Sequence, residues 1–235
     1  MDPTATSRPV RSVIAILAIL AALALSACAY RAGYEDNPIT RSFAWFSYIN
    51  ADDLRTACAP GAPDRYRLIY NAVWQEQVRT YDITAAGGGA ELKAQVRGET
   101  DFARPIPLDD LLAPWRPTTV RKRLATGELR RLRAALHQSG FYMPAPDGTR
   151  VQSWGFFWVA VACEGGRFYF NAWSHPSPRF DRVRLAGLLG GFDATGIPFN
   201  APRETWRPDW DEQRGVDRYE LVVRGNGFAD NLKLF

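Results

Sequence analysis

The sequence predicts an α+β domain: a single antiparallel sheet of five to seven strands with two main helices packed on one face. Runs with strand-like alternation are separated by turns of only two or three residues, which favours antiparallel neighbours. Two segments, beginning at Thr126 and at Ser177, carry helix-entry residues. The order hairpin then helix occurs twice without a residue-level repeat, an arrangement that lays helices against a sheet rather than between parallel strands.

The first 28 residues have three parts. Arg8 and Arg11 make a positive start, Val13 to Leu25 is an unbroken apolar run of 13 residues, and Leu25-Ser26-Ala27-Cys28 closes it. As a helix the run covers roughly 20 Å, short of a hydrocarbon core of about 30 Å, so it fits a secretory signal better than a membrane span. The Leu-Ser-Ala-Cys tetrad resembles the lipobox of bacterial lipoproteins. That resemblance, confined to residues 1–28, implies cleavage before Cys28 and acylation of Cys28, with several acyl chains together giving a stable anchor. It further implies a cell-envelope protein facing the periplasm, with Ala29 after the cysteine favouring the outer membrane over the inner.

Residues 28–42 are expected to be a polar tether, and 43–235 the single globular domain. Phe43 to Ile49 is densely aromatic. Asn50 suits the cap of a short helix, with Asp52 and Asp53 facing its positive end and Pro60-Gly61 stopping it just after Cys58. Strands are expected over 65–73, 76–84 and 91–97. Gly87-Gly88-Gly89 forms the last turn between them; a phosphate cradle would need a helix after the glycines, and a strand pattern follows instead. Residues 103–118, with four prolines among Leu108, Leu111, Leu112 and Trp115, read as a crossing loop. The clearest helix follows. Thr126 caps it, Glu128 sits in its first turn, Leu129, Leu132 and Leu136 share a face, His137 complements the last turn and Gly140 ends it.

Trp154 to Cys163 is a nearly continuous apolar run, suited to a central strand covered on both sides. Glu164-Gly165-Gly166 turns the chain into a strand over 167–173. Ser177-Pro178 opens a helix that should run to about Leu189 and stop at Gly190-Gly191. Residues 197–215 form a second Pro/Trp-rich loop. Tyr219, Leu221 and Val223 signal a strand, and Gly225-Asn226-Gly227 turns it into a last short strand at 228–234.

The chain of 235 residues has 29 basic and 25 acidic side chains, and its basic residues are nearly all arginine. So small a net charge argues weakly for an anion-binding surface, and export argues against nucleic acid. After Cys28, two cysteines remain, Cys58 and Cys163. In an oxidising compartment an even pair reads as a disulfide, here closing a loop of about 100 residues worth up to ~4.7 kcal/mol in the chain-entropy picture. With two histidines and neither CxxC nor HExxH, no metal site and no cofactor are expected.

His175 is the best catalytic candidate, a strand-end histidine with Ser174, Asp181 and Arg182 nearby, but no GxSxG or comparable nucleophile motif accompanies it. The adjacent acid pairs Asp52-Asp53 and Asp109-Asp110 point about 100° apart on a helix and make no carboxylate dyad. Arg130, Arg131 and Arg133 lie mostly off the apolar face of their helix, either as a solvated surface or as a site for an acidic partner or lipid headgroup. Trp206 and Trp210, beside Asp209, Asp211 and Glu212, either pack their loop or bind a sugar or cationic ligand. The reading that follows is a membrane-anchored, non-catalytic envelope lipoprotein. It would bind a ligand, lipid or partner protein, or support assembly of an envelope complex; the alternative is a periplasmic hydrolase or other enzyme using His175.

Overall fold

Two central strands with apolar residues on both faces organise the molecule: Arg65–Ala72 (β1) and Phe156–Glu164 (β6). The computed structural model describes residues 38–98, 117–205, 218–229 and 233–234. β1 and β6 pair antiparallel, with Leu68 opposite Ala160. Gln77–Ala86 (β2), Gly89–Gly98 (β3) and Thr118–Leu124 (β4) extend the sheet on one side, and Arg167–Ser174 (β7) on the other. The result is a six-stranded antiparallel sheet in the order β4-β3-β2-β1-β6-β7.

On one face, Leu68 and Tyr70 of β1, Tyr81 and Ile83 of β2 and Trp158 of β6 meet two helices. These are α3 (Thr126–Gln138, through Leu129, Leu132 and Leu136) and α4 (Leu185–Phe192, through Leu185, Leu189 and Phe192). Both expected helices therefore share a face. The opposite face buries Ile69, Val159, Val161 and Phe170 under α1 (Pro38–Asn50), α2 (Asp52–Ala57) and a second small sheet. That sheet holds Arg150–Gln152 (β5), Tyr219–Arg224 (β8) and Lys233–Leu234 (β10), with Gly227–Phe228 (β9) also paired to β8.

The sheet is thus not single, and the second one escapes notice because β5, at three residues, is too short to show a period. The N-terminal aromatic run is helical. Its helix begins at Pro38, inside the segment expected to be a tether, and proline is well suited to a first helical turn. Asn50 does not cap a helix. It ends α1, Ala51 takes a left-handed conformation at φ 55°, and the Asn50 carbonyl Oδ1 accepts the Phe228 N–H at 2.9 Å. A Cβ at Gly227 would lie 2.7 Å from that oxygen and 2.7 Å from an Arg55 guanidinium nitrogen, so a larger residue there would have to displace both side chains. Ala125, not Thr126, caps α3, with Glu128 accepting the Ala125 N–H at 2.8 Å. The end of α3 follows expectation. Gly140, at φ 73°, and Phe141 return their N–H groups to His137 and Leu136, and Phe141 packs in the same core as Leu136. The helix expected from Ser177 starts late. The Ser177 Oγ accepts the Phe180 N–H and donates to the Ser174 carbonyl, leaving only a 3₁₀ turn at Phe180–Arg182; Val183 is extended, and α4 then runs through Gly190-Gly191 to bury Phe192.

Cys58, just after α2, is bonded to Cys163 of β6, with α-carbons 5.6 Å apart. The bond fixes the helical layer of one face to a central strand. The turn after β6 presses against the same segment: a Cβ on Gly166 would lie 2.5 Å from the Pro60 backbone nitrogen. Two arginines are also buried in the sheet, Arg67 (1% exposed) and Arg79 (0%), pointing to opposite faces. Arg67 pairs with Asp53 of α2 and Asp82 of β2, both at 2.7 Å, donates to the Tyr48 carbonyl and lies over the Tyr48 ring. Arg79 pairs with Asp193 at 2.6 Å, donates to the Ile197 and Pro198 carbonyls and lies under Phe199.

Two outcomes are expected. Replacing both Cys58 and Cys163 with alanine should lower the unfolding free energy by roughly 2–5 kcal/mol. An unchanged urea midpoint in the double variant would count against a stabilising bond. The second concerns acid. Burial pushes the Asp193 carboxyl up, but hydrogen bonds from Thr195 and Tyr81 and the Arg79 charge outweigh it, so the group titrates below the ordinary carboxylate range. A depressed folded-state pKa means its stabilisation is complete above about pH 3.9 and is lost as pH falls through the folded value. Stability of the wild type should therefore fall more steeply on acidification than that of Asp193→Asn, and equal slopes in pH-dependent denaturation would contradict this.

Candidate functional site

Among the described residues, the apolar layer on the second face of the main sheet spans only part of its width. The core beneath α1, α2 and the small sheet draws on β1, β2, β6 and β7, and on no residue of β3 or β4. The cause lies in the side chains. On this side β3 presents Glu91 and Lys93, next to the buried Gln95, and β4 presents Thr119, Arg121 and Arg123, polar side chains that do not drive burial against a helix.

Register sets these residues in cross-strand rows. Thr84, Glu91 and Arg123 form one, and Asp82, Lys93 and Arg121 the next. Together they line a shallow open trough. Glu91, Arg121 and Arg123 are exposed and Lys93 half-buried. Asp82 is already engaged by Arg67 and by the Tyr48 hydroxyl at 2.7 Å. Arg123 reaches the Ala86 and Gly87 carbonyls at 3.4 and 3.5 Å. Among the described residues, Lys93 and Arg121 form no ion pair. With Asp82 neutralised, three cations remain against the single carboxylate of Glu91, a surface suited to anionic groups. The period-two polarity of 91–95 is the trace of this face in the sequence; 119–123, with three consecutive cations, shows no such alternation and is a strand that the sequence does not announce.

The residues singled out from sequence lie elsewhere. His175 is half-buried, its ring edge-on to Phe156 and Phe180 at centroid distances of 6.1 and 5.2 Å. Its backbone N–H goes to the Phe156 carbonyl; among the described residues no hydroxyl or carboxylate hydrogen-bonds its ring, and Asp181 does not orient it. The three arginines of α3 do not act together. Arg133 donates to the Tyr66 hydroxyl at 2.7 Å and pairs with Asp64 at 2.6 Å. Glu164 accepts hydrogen bonds from Tyr66 and Tyr142 beside it, so Arg133 ties α3 to β1 and β6. Arg130 and Arg131 are exposed. Trp206, Trp210 and Cys28 lie outside the described residues, as do Asp109 and Asp110 and nearly all of the loop at 103–118.

Gly87 and Gly88 turn with positive φ, as expected of a hairpin. The turn sits beside the start of α3, where Thr126 hydrogen-bonds the Gly88 carbonyl, and Glu128 already occupies that helix end. Among the described residues, no group of three or more His, Cys, Asp or Glu could hold a metal ion, and no helix is long and apolar enough to cross a membrane. No protein family, no curated protein and no solved structure matches this chain.

Proposed function

We propose that this chain is an envelope lipoprotein, acylated at Cys28 and held at the periplasmic surface of a membrane, the outer one in preference. Its folded domain acts by binding a ligand, lipid or partner protein, or by supporting assembly of an envelope complex. The observation that carries the binding role is the open trough of charged rows over β3 and β4, with Lys93 and Arg121 left without ion-pair partners among the described residues. The Cys58–Cys163 bond supports export, since such bonds persist in oxidising compartments. The lipobox-like tetrad at residues 25–28 supports the anchor.

Cys28→Ser should abolish acyl labelling and leave the chain unprocessed or released from membranes. Labelling that persists in this variant would remove the anchor from the reading. A photo-crosslinking residue in place of Thr84 or Glu91, in cells, should yield discrete adducts that disappear when Lys93 and Arg121 are both reversed to glutamate. His175→Ala should still complement a deletion strain. If folded His175→Ala behaves as a deletion while folded Lys93→Glu/Arg121→Glu complements, the enzyme reading wins.

A further inference from the structure

β4 closes one side of the main sheet, and its outer edge has no strand partner among the described residues. It is seven residues long, and an unpaired edge of that length is a template for another strand. Its side chains restrict what can pair there. Arg121, Lys122 and Arg123 are consecutive, so positive charge stands on both faces of the strand. A second copy pairing antiparallel about the strand centre would set Arg121 against Arg121, and like charges directly opposite destabilise a pair.

An incoming strand of alternating character meets complementary surroundings. Positions facing the trough would stand over Arg121 and Arg123, with Lys93 one strand further in. Intervening positions would face Val120, half-buried on the helical side, and the stem of Lys122, whose ammonium is 3.4 Å from Glu128 and 5.8 Å from the Phe192 ring centroid. Acidic residues suit the first set and apolar residues the second.

We propose that the free edge of β4 takes up an extended segment of a partner protein, acidic and apolar at alternate residues, as a seventh strand with its carboxylates over Arg121 and Arg123. This names the partner's chemistry for the binding role proposed above and rests on that reading.

The test uses the full chain in detergent and a fluorescent peptide alternating Glu and Val, read by anisotropy. The peptide should bind, and its Lys–Val counterpart should not. Affinity should fall at least tenfold for Arg121→Glu/Arg123→Glu, confirmed folded by circular dichroism, and equally when alternate peptide nitrogens are methylated to block strand hydrogen bonds. Arg130→Glu/Arg131→Glu removes the same charge from α3 and should leave binding unchanged. Equal loss in that control, or undiminished binding of both N-methylated registers, would overturn strand addition. So would an absence of peptide binding alongside Arg121- and Arg123-dependent binding to phosphatidylglycerol vesicles, which would assign the face to lipid headgroups. If the Thr84 crosslinker still captures a partner in cells while the peptide fails, strand addition falls and the binding role stands; loss of both removes both.

Discussion

Two buried guanidinium groups hold this fold to its central sheet. Removing a charge from water costs several kcal/mol unless it is matched by partners, so Arg67 and Arg79 can be buried only where carboxylates and carbonyls are brought to them. Each planar fork gathers groups that are distant in sequence. Arg67 collects Asp53, Asp82 and the Tyr48 carbonyl, binding α1 and α2 to one face. Arg79 collects Asp193 and the Ile197 and Pro198 carbonyls, binding the segment after α4 to the other. The sheet is thereby fixed between layers that its own hydrogen bonds could not select.

The remaining ties reinforce the same layers at other points. The Cys58–Cys163 bond joins the end of α2 to β6 on the face where Arg67 acts. Arg133, Tyr66, Tyr142 and Glu164 form a hydrogen-bonded group that holds α3 to β1 and β6 on the face where Arg79 acts. These links concentrate on the middle of the sheet. β3 and β4 carry a core on the helical face only, through Leu92, Ala94 and Leu124. Their opposite side bears charged rows, whose side chains supply no apolar surface to bury against a second layer. The proposed binding role belongs to this asymmetry: among the described residues, both faces of β1 and β6 carry an apolar core, and β3 and β4 carry one on a single face.

Much of the fold was legible in the sequence, and the reasons are local. β1, β2, β3, β6 and β7 appear within one or two residues of their expected limits at most ends, since alternation or a continuous apolar run marks them and glycine pairs mark the turns. α3 was marked by leucines at helical spacing and by Gly140. The antiparallel pairing, five of the main sheet's six strands, the helices sharing one face and the disulfide followed from these features. Elements whose identity depends on neighbours were not legible. β5 is too short to show a period, β4 follows a proline-rich segment and carries three consecutive cations, and the helix at Pro38 opens in polar sequence. Local hydrogen bonds of Ser177 delayed α4 in a way that Ser-Pro spacing did not reveal.

The sequence by itself determined the central strands β1, β2, β3, β6 and β7, the helix α3 and the pairing of two cysteines; the envelope address at the N-terminus is an expectation from it. Those properties follow from periodicity, turn chemistry and short motifs read within a few residues. Only the tertiary structure decided that Arg67 and Arg79 are buried, that Arg133 is a tie rather than part of an arginine site, and that Lys93, Arg121 and Arg123 share one open face. Alternation shows that a strand has a polar side. It does not show which strand lies beside it, in what register, or whether a helix covers it, because those outcomes are set by pairing and packing between residues far apart in the chain.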